Sequence, residues 1–202
     1  MKKTLVFLII IIVVIAGFGF YYLNQSSKQP DNRALLQVES DNPPVAEKTD
    51  HPYVGDDFTF IPPQGWIQTS IPSTLVAYQN AQETQAPGSA AAKINFKSYL
   101  AVSFDNVNGQ DANELKDLVK RQIQSVAPGV SFISETERLV DDRPAVFLEA
   151  DLLMQDVDFK ILMVIIMGED KYFTLSGNTT MEMWTDYRDI FYAAAESFKI
   201  KN

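Results

Sequence analysis

The sequence predicts an α/β protein, an α/β/α sandwich with a mainly antiparallel sheet that is preceded by a single transmembrane helix. Three observations predict this fold class. Residues 5–23 form an uninterrupted apolar run. Four strand-like runs lie between residues 130 and 176, and their short polar breaks favour an antiparallel meander. Two amphipathic segments, one before and one after these runs, predict helices on the two faces of the sheet.

The apolar run is the first element, and its nineteen residues contain no charged or amide side chain. A helix of this length spans about 28 Å, which matches the roughly 30 Å hydrocarbon core of a bilayer. The run ends in Phe20, Tyr21 and Tyr22, which suit a membrane interface and do not form a small-x-small cleavage site. The pattern therefore predicts an uncleaved transmembrane helix.

The orientation of this helix follows from Lys2 and Lys3, which precede it. The positive-inside rule then predicts a cytoplasmic N-terminus and an extracytoplasmic domain. We expect residues 1–23 to be a single-pass signal anchor in the cell membrane, with residues 4–23 in contact with lipid. Three alternatives are a signal peptide cleaved near Ala16, a buried helix of a soluble protein, and a pilin-like assembly helix, whose usual acidic residue is missing from this run.

Residues 24–56 are rich in Ser, Asn, Asp, Gln and Pro and have no sustained periodicity, which predicts a flexible linker. Residues 57–202 form the predicted domain. The chain carries a formal net charge of -9. Because an acidic surface repels phosphate backbones, we expect no nucleic acid partner.

The residue inventory restricts the chemistry of the chain. Cysteine is absent and His51 is the only histidine, which excludes thiol nucleophiles and thiolate metal sites within the chain. The sequence also contains no Gly-rich phosphate loop, nucleophile elbow or zinc-binding helix motif. We therefore predict that the protein is not an enzyme and has no catalytic residues, no cofactor and no metal site.

The first part of the predicted domain contains three strand-like segments and a loop. Residues 58–61 alternate before a turn that contains proline and glycine, and residues 74–78 form a second apolar stretch. Residues 79–91 are small and polar, which predicts an exposed loop. Residues 92–105 alternate clearly, so we expect a strand with one buried and one solvent-exposed face.

The second part contains the two helices and the meander. Asp111 and Glu114 have the spacing of a capping box, and apolar residues recur at helical spacing until Pro128 and Gly129. Four strands are predicted after this helix, at residues 130–140, 145–154, 159–167 and 172–176. The third is apolar at both parities, which predicts a central strand with both faces covered. A last amphipathic helix is predicted to begin at about Thr180.

Four segments of the domain carry a further signal. They are Phe58-x-Phe60-x-x-Pro63-x-Gly65-Trp66, Val140-Asp141-Asp142-Arg143-Pro144-Ala145, Tyr172-Phe173-Thr174-Leu175-Ser176 and the closing Ser197-Phe198-Lys199. These segments resemble the PsbP/Mog1-like family over residues 57–201, although Asp142 stands where that family often has glycine. The resemblance implies an α/β/α sandwich that serves as a non-catalytic accessory or binding module, as in plant members that assist photosystem II.

Four side chains are candidate site residues. Trp66 and Trp184 could line a ligand pocket, but their positions after a Pro-Gly turn and on an apolar helix stripe favour the core. Glu149 and Asp151 share one strand face and could act as an acid/base pair. Because neither a nucleophile nor a histidine lies near them in the sequence, the favoured interpretation is the solvent-exposed side of that strand.

Three acidic pairs fall at predicted turns and could supply oxygen ligands to calcium. They are Asp141 with Asp142, Asp156 with Asp158, and Glu169 with Asp170. None has the regular spacing and glycine of a calcium loop, so solvated hairpin turns are the favoured interpretation.

These observations predict a membrane-anchored extracytoplasmic binding or accessory module whose partner is a protein. Two alternatives belong to other functional classes. A carrier of a small ligand or lipid would have a deep closed pocket, and a cation-assisted hydrolase would gather carboxylates in a cleft. The oligomeric state is not predicted.

Overall fold

A seven-stranded antiparallel sheet is the middle layer of the computed structural model, which describes residues 51–201. A second sheet of three short strands packs against it. In chain order the strands are β1 (Tyr53–Val54), β2 (Phe58–Phe60), β3 (Ile67–Thr69), β4 (Val76–Gln79), β5 (Tyr99–Asn106), β6 (Ser131–Val140), β7 (Arg143–Met154), β8 (Val157–Met167), β9 (Lys171–Thr180) and β10 (Lys199–Ile200). The main sheet has the order β3-β4-β5-β9-β8-β7-β6, and the small sheet has the order β1-β2-β10.

Three helices lie among residues 51–201, namely α1 (Ala90–Lys93), α2 (Ala112–Val126) and α3 (Trp184–Glu196). The capping box predicted before α2 is confirmed. Asp111 Oδ1 accepts hydrogen bonds from the backbone N–H groups of Asn113 and Glu114 at 2.9 Å, and Glu114 Oε2 accepts one from the Asp111 N–H at 3.0 Å. These bonds satisfy N–H groups that the first helical turn leaves free, which fixes where α2 begins.

Helices pack on both faces of the main sheet, and β8 illustrates the reason. Leu162, Val164 and Ile166 belong to the apolar cluster under α3, whereas Met163 and Ile165 belong to the cluster under α2. A strand that is apolar on both sides needs cover on both sides. The predicted α/β class, the mainly antiparallel sheet and the central position of this strand are therefore confirmed. The two sides are called the α3 face and the α2 face below.

Each face has a second covering element. The small sheet covers part of the α3 face, where Phe58 stacks on Phe198 with ring centroids 4.9 Å apart. On the α2 face, α1 and the segment after it contribute to an apolar cluster in which the Phe96 and Phe159 rings lie 5.0 Å apart. The approach of α3 to the sheet is close at Gly177, because a Cβ atom there would lie 2.4 Å from a ring atom of Phe191.

Two hairpins of the main sheet have two-residue turns. Asp141 and Asp142 connect β6 to β7 with φ values of 52° and 60°, and Gln155 and Asp156 connect β7 to β8 with φ values of 53° and 59°. Positive φ at both turn positions defines the type I′ turn, which matches the twist of the flanking strands. These turns are shorter than the predicted breaks because strand pairing continues up to them, as Arg143 pairs with the last residue of β6.

The predicted strand at residues 92–105 is wrong in its first part. Ala90–Lys93 is a short helix, and the strand begins at Tyr99. The Ser89 side chain accepts a hydrogen bond from the Ala92 N–H at 3.1 Å and caps the helix. Alanine has the highest helix propensity, so three consecutive alanines after a serine cap outweigh the alternating pattern.

The predicted start of the last helix at Thr180 is also wrong. Thr179 and Thr180 continue β9, where they pair with Lys160 and Phe159 of β8, and α3 begins at Trp184. The predicted end of this strand at residue 176 was set by polar side chains. β-branched threonines fit a strand well, and here they are buried in the centre of the sheet.

Three further expectations concern the first half of the chain. Strand β1 lies within residues 24–56, so the last part of the predicted linker is structured. Glu83 in the predicted exposed loop is only 5% exposed, because its carboxylate accepts hydrogen bonds from Ser98 Oγ at 3.0 Å and Gln85 Nε2 at 2.9 Å. The predicted membrane segment at residues 1–23 lies outside the described residues. Within residues 51–201, none of the helices has the length and apolar character that a bilayer span requires.

Candidate functional site

A cluster of charged side chains is buried between the α3 face of the sheet and α3. Glu149 and Lys160 are 7% and 5% exposed, respectively. Lys160 Nζ lies 2.7 Å from Asp151 Oδ1 and 3.9 Å from Glu149 Oε2. Glu149 Oε1 lies 3.3 Å from Arg188 Nε and accepts a hydrogen bond from Tyr192 Oη at 2.8 Å. Because each buried charge has an opposite charge within reach, the cluster offsets part of the cost of desolvation.

Strand register and helix periodicity bring this ion cluster together. Asp151 pairs directly with Lys160 across β7 and β8, and Glu149 lies two residues away on the same face. Arg188 and Tyr192 are four residues apart on α3, so both project towards β7 from one side of the helix. The helix therefore contributes to the cluster as much as the sheet does.

The prediction that Glu149 marks a solvent-exposed strand face is wrong, because α3 covers it. Asp151 is half-buried at the edge of the cluster. The partners Arg188 and Tyr192 lie 39 and 43 residues from Glu149 along the chain. No local pattern indicates such a contact, and the only signal available was Lys160 at the start of an otherwise apolar run.

The ion cluster links the sheet to α3 and has a structural role. Burial raises the pKa of Tyr192, and its hydrogen bond to Glu149 raises it further, so the phenol stays protonated and donates. The carboxylates of Glu149 and Asp151 both form ion pairs, with Arg188 and Lys160, respectively. The cluster therefore holds α3 in one position against the sheet, with Arg188 at its solvent side.

The two tryptophans occupy different environments. Trp66 is 4% exposed, and its ring meets Tyr187 and Phe191 edge-on at 5.6 and 6.0 Å, which confirms the predicted core position. Trp184 is only partly buried. Its ring lies 5.5 Å from Lys160 Nζ, so it shields the ion cluster at the first turn of α3.

The acidic residues predicted at turns are solvent-exposed. Asp141 and Asp142 form the β6–β7 turn, Asp156 belongs to the β7–β8 turn with Asp158 just inside β8, and Glu169 and Asp170 lie between β8 and β9. Within residues 51–201, no three acidic or histidine side chains come close enough together to hold a metal ion. The structure thus distributes these pairs over separate hairpin ends.

A cleft of about 300 Å³ lies where the small sheet meets the β8–β9 turn. Its charged lining is mixed, and Lys171 Nζ forms an ion pair with Asp57 Oδ2 at 2.9 Å. Lys201 Nζ donates a hydrogen bond to the Gly55 carbonyl oxygen at 2.6 Å. The sequence did not indicate this cleft, because residues from both ends of the domain, such as Asp57 and Lys201, line it.

An exposed surface lies beside the ion cluster, and we call Leu153, Met181, Trp184 and Arg188 the tip surface. Leu153 and Met181 are 67% and 40% exposed. Leu153 pairs with Asp158, whose carbonyl oxygen accepts the Met181 N–H at 2.8 Å, so Leu153 and Met181 lie on either side of Asp158 at this end of the sheet. Trp184 and Arg188 follow on the first turns of α3. The tip surface therefore combines apolar, aromatic and cationic groups, and the ion cluster beneath it links α3 to the sheet.

The sequence and the fold were compared with those of known proteins, and both gave matches. Residues 50–200 match the family model described as PsbP. The solution structure of cyanobacterial PsbP (CyanoP) from Synechocystis sp. PCC 6803 matches with a TM-score of 0.57 and 18% identity, over 81% of this chain and 98% of that chain. LpqN of Mycobacterium tuberculosis, described as involved in cell envelope biogenesis, matches with a TM-score of 0.54 and 12% identity, over 82% and 89%. No match was found among curated proteins.

The two kinds of match support different statements. The identities to the solved structures are low, so those similarities support the fold alone. The family match spans most of the chain and the whole domain. It confirms the resemblance that the opening strand, the Asp141–Asp142 hairpin and the closing segment indicated. The chain belongs to the PsbP family.

Proposed function

We propose that this chain is a membrane-anchored, extracytoplasmic and non-catalytic member of the PsbP family that binds a protein partner through the tip surface. The observation that carries the proposal is the exposure of Leu153 and Met181 at the end of the sheet that bears the ion cluster, which Trp184 and Arg188 of α3 contact. Tryptophan, methionine and arginine are enriched at protein interfaces, and tryptophan and arginine dominate the residues that contribute most to affinity.

The ion cluster supports this surface in a way that favours binding. Arg188 is held by Glu149, and the Trp184 ring is held over Lys160. Side chains that are already fixed lose less conformational entropy when a partner binds. Glu149 and Asp151 form ion pairs with Arg188 and Lys160, so these carboxylates support the surface structurally.

The membrane and topology parts of the proposal rest on the sequence. The uncharged run at residues 5–23 has the length of a bilayer span, and Lys2 and Lys3 favour a cytoplasmic N-terminus. The residues that follow, up to the described domain, are long enough to hold the tip surface away from the bilayer. A tethered module of this kind searches for partners close to the membrane.

The binding test compares two leucines of similar exposure. Leu153 is 67% exposed on the tip surface, and Leu139 is 65% exposed on the edge strand β6. The full chain and its Leu153→Glu and Leu139→Glu variants are cross-linked in native membranes and analysed by mass spectrometry. We expect a protein that is captured by the unchanged chain and by Leu139→Glu but lost from Leu153→Glu. Equal capture by all three chains would contradict the proposed surface.

The topology test uses the absence of cysteine from the chain. Ser70 is exposed in the domain, so Ser70→Cys provides a single labelling site there, and Thr4→Cys provides one before the apolar run. A membrane-impermeant maleimide should label Ser70→Cys in intact cells and Thr4→Cys only after permeabilisation. The reverse pattern would refute the extracytoplasmic placement.

A further inference from the structure

The edge strand β6 has one side that no strand of the described domain covers. The order of the main sheet ends at β6, so among the strands of residues 51–201 only β7 pairs with it. From Ser134 to Val140 this pairing is regular, because the register shift in β6 lies before Ser134. A regular edge presents a row of unpaired backbone N–H and C=O groups, which is a template for another strand.

The turn that joins β6 to β7 determines which backbone groups of β6 point outward. Val140 pairs with Arg143 across a two-residue type I′ turn, and the turn hydrogen bond joins these two residues. Residues that bond to the partner strand alternate along an antiparallel strand with residues that do not. The backbone N–H and C=O groups of Glu135, Glu137 and Leu139 therefore point away from β7.

The residues around Thr136 have a symmetric chemical pattern. In both directions the segment reads apolar, polar, acidic, threonine, acidic, polar, apolar: Ile133, Ser134, Glu135, Thr136, Glu137, Arg138 and Leu139. Ile133 and Leu139 are 53% and 65% exposed. A twofold interface brings the same surface of two copies together, so each residue must suit the residue that it meets. An antiparallel pair of β6 strands centred on Thr136 meets this condition, since it places Ile133 of one copy beside Leu139 of the other.

The glutamates of this edge are balanced by lysines of the same copy. The pairing sets Glu135 of one copy opposite Glu137 of the other, and like charges directly opposite each other destabilise a sheet. Lys116 Nζ on α2 lies 2.6 Å from Glu135 Oε1 and 3.7 Å from Glu137 Oε1. Lys120 Nζ lies 2.8 Å from Glu135 Oε2. Each copy therefore brings two lysines with its two glutamates, which offsets the repulsion between the copies.

The neighbouring registers fit less well. A pair centred on Glu137 would set this residue against its own copy and Glu135 against Leu139. A pair centred on Glu135 would set that residue against its own copy and Ile133 against Glu137. A slip by one residue would bring the α2 face of one copy level with the α3 face of the other. Of these registers, the one centred on Thr136 joins apolar to apolar residues and places an uncharged side chain on the twofold axis.

We propose that two copies of this chain pair through β6, antiparallel and centred on Thr136, and so join their main sheets into one continuous sheet. Backbone hydrogen bonds between Glu135 and Glu137 of opposite copies form the centre of the contact. Ile133 and Leu139 form an apolar contact on each side of it. None of the residues of the tip surface belongs to β6, so this pairing is independent of the proposed partner binding.

Disulfide trapping tests the register, because the chain contains no cysteine of its own. Directly opposite residues of an antiparallel pair have Cα atoms about 4.5 to 5.5 Å apart, a distance that a disulfide bridges. The full chain with Thr136→Cys is oxidised in native membranes and analysed on a non-reducing gel. Arg138→Cys is the matched control, since it is exposed on the same strand but would lie about 13 Å from its own copy. We expect Thr136→Cys to form a covalent dimer at least about tenfold faster than Arg138→Cys.

A second pair of variants removes one backbone donor from the edge. Glu137→Pro loses the outward N–H group, whereas Glu137→Thr keeps it and loses the same carboxylate. In the Thr136→Cys background, Glu137→Pro should abolish the covalent dimer and Glu137→Thr should retain it. Circular dichroism and urea unfolding show whether each variant is folded.

Three results would overturn the proposal. They are the absence of a Thr136→Cys dimer, equal trapping of Thr136→Cys and Arg138→Cys, and unchanged trapping in a folded Glu137→Pro variant. A covalent product of Thr136→Cys with a different protein, in place of the dimer, would assign the edge to that protein instead of a second copy.

Discussion

On the α3 face, Glu149 and Lys160 are buried with an opposite charge close to each of them, whereas on the α2 face Asn178 is buried with its carbonyl oxygen unpaired. Tyr99, which pairs directly with Asn178 in the sheet, and Thr180 also bury unpaired hydroxyl groups on the α2 face. The difference teaches that one face is completed by the domain itself. On the other face, neutral polar groups are buried without a partner among the side chains of the domain.

The largest test of this comparison removes a buried group from each face. Lys160→Met leaves two carboxylates without their shared cation, and breaking a fully buried ion pair in this way costs about 3 to 5 kcal/mol of unfolding free energy. Because Asp151 is only half-buried and Glu149 keeps Arg188, we expect a loss near the lower end of this range. Tyr99→Phe removes a buried hydroxyl group on the α2 face that has no hydrogen-bond partner, so we expect a change of about 1 kcal/mol or less. Urea unfolding, followed by the fluorescence of Trp66 and Trp184, measures both changes.

The exposed Lys171→Met variant is the control for loss of a lysine. Its ion pair with Asp57 is at the surface, and such pairs contribute about 1 kcal/mol or less. If Tyr99→Phe destabilised the domain as much as Lys160→Met does, the Tyr99 hydroxyl group would be as well satisfied as the ion cluster. The contrast between the two faces would then not hold.

The tyrosines sharpen the comparison at alkaline pH. Burial, aided by the charge of Asp105, raises the pKa of Tyr172 to about 12 from its ordinary value of 10.0. Unfolded chains therefore lose this proton before folded ones do, so the stabilisation is complete below pH 10 and is lost as the pH rises towards 12. Tyr172→Phe should abolish a loss of about 1.4 kcal/mol between pH 9 and pH 11.

Tyr192→Phe is the matched variant on the α3 face. The charges of Arg188 and Arg138 oppose the rise in the pKa of Tyr192, so this variant should change the pH slope less than Tyr172→Phe does. It should lower stability at every pH, because Glu149 loses a hydrogen bond. Unfolding free energies measured at pH 9, 10 and 11 distinguish the two patterns. Equal slopes for both variants would contradict the assignment.

Much of the fold could be predicted because its signals are local. The apolar run of β8 indicates that both faces of the sheet are covered at this strand. The spacing of Asp111 and Glu114 indicates where α2 begins. The short helix at Ala90–Lys93 could not be predicted in this way, since four residues carry no helical period. Pattern reasoning also ended β9 too early, because it assigns polar side chains such as Asn178 to solvent.

The candidate sites were harder to predict because they depend on contacts between distant segments. Glu149 was recognised as a notable side chain, but its burial depends on α3. The tip surface joins Leu153 of one hairpin to Met181 just after β9. The apolar layer under α2 depends on Ile123 meeting side chains of four strands, which no spacing in the sequence indicates. Sequence reasoning therefore identifies the layers of this domain more reliably than the side chains that meet between them.

The smallest effect is expected at the hairpin turns, which belong to neither face. Asp142 has a φ of 60°, a conformation that costs free energy for any residue with a Cβ atom and none for glycine. Asp142→Gly should therefore stabilise the domain by about 0.5 kcal/mol, after the greater entropy that glycine adds to the unfolded chain is subtracted. Asp156→Gly, with a φ of 59°, should behave alike, whereas Asp158→Gly inside β8 should destabilise. Destabilisation by both turn variants would mean that the aspartate side chains stabilise these turns through contacts of their own. These aspartates would then contribute to stability, unlike the unpaired groups of the α2 face.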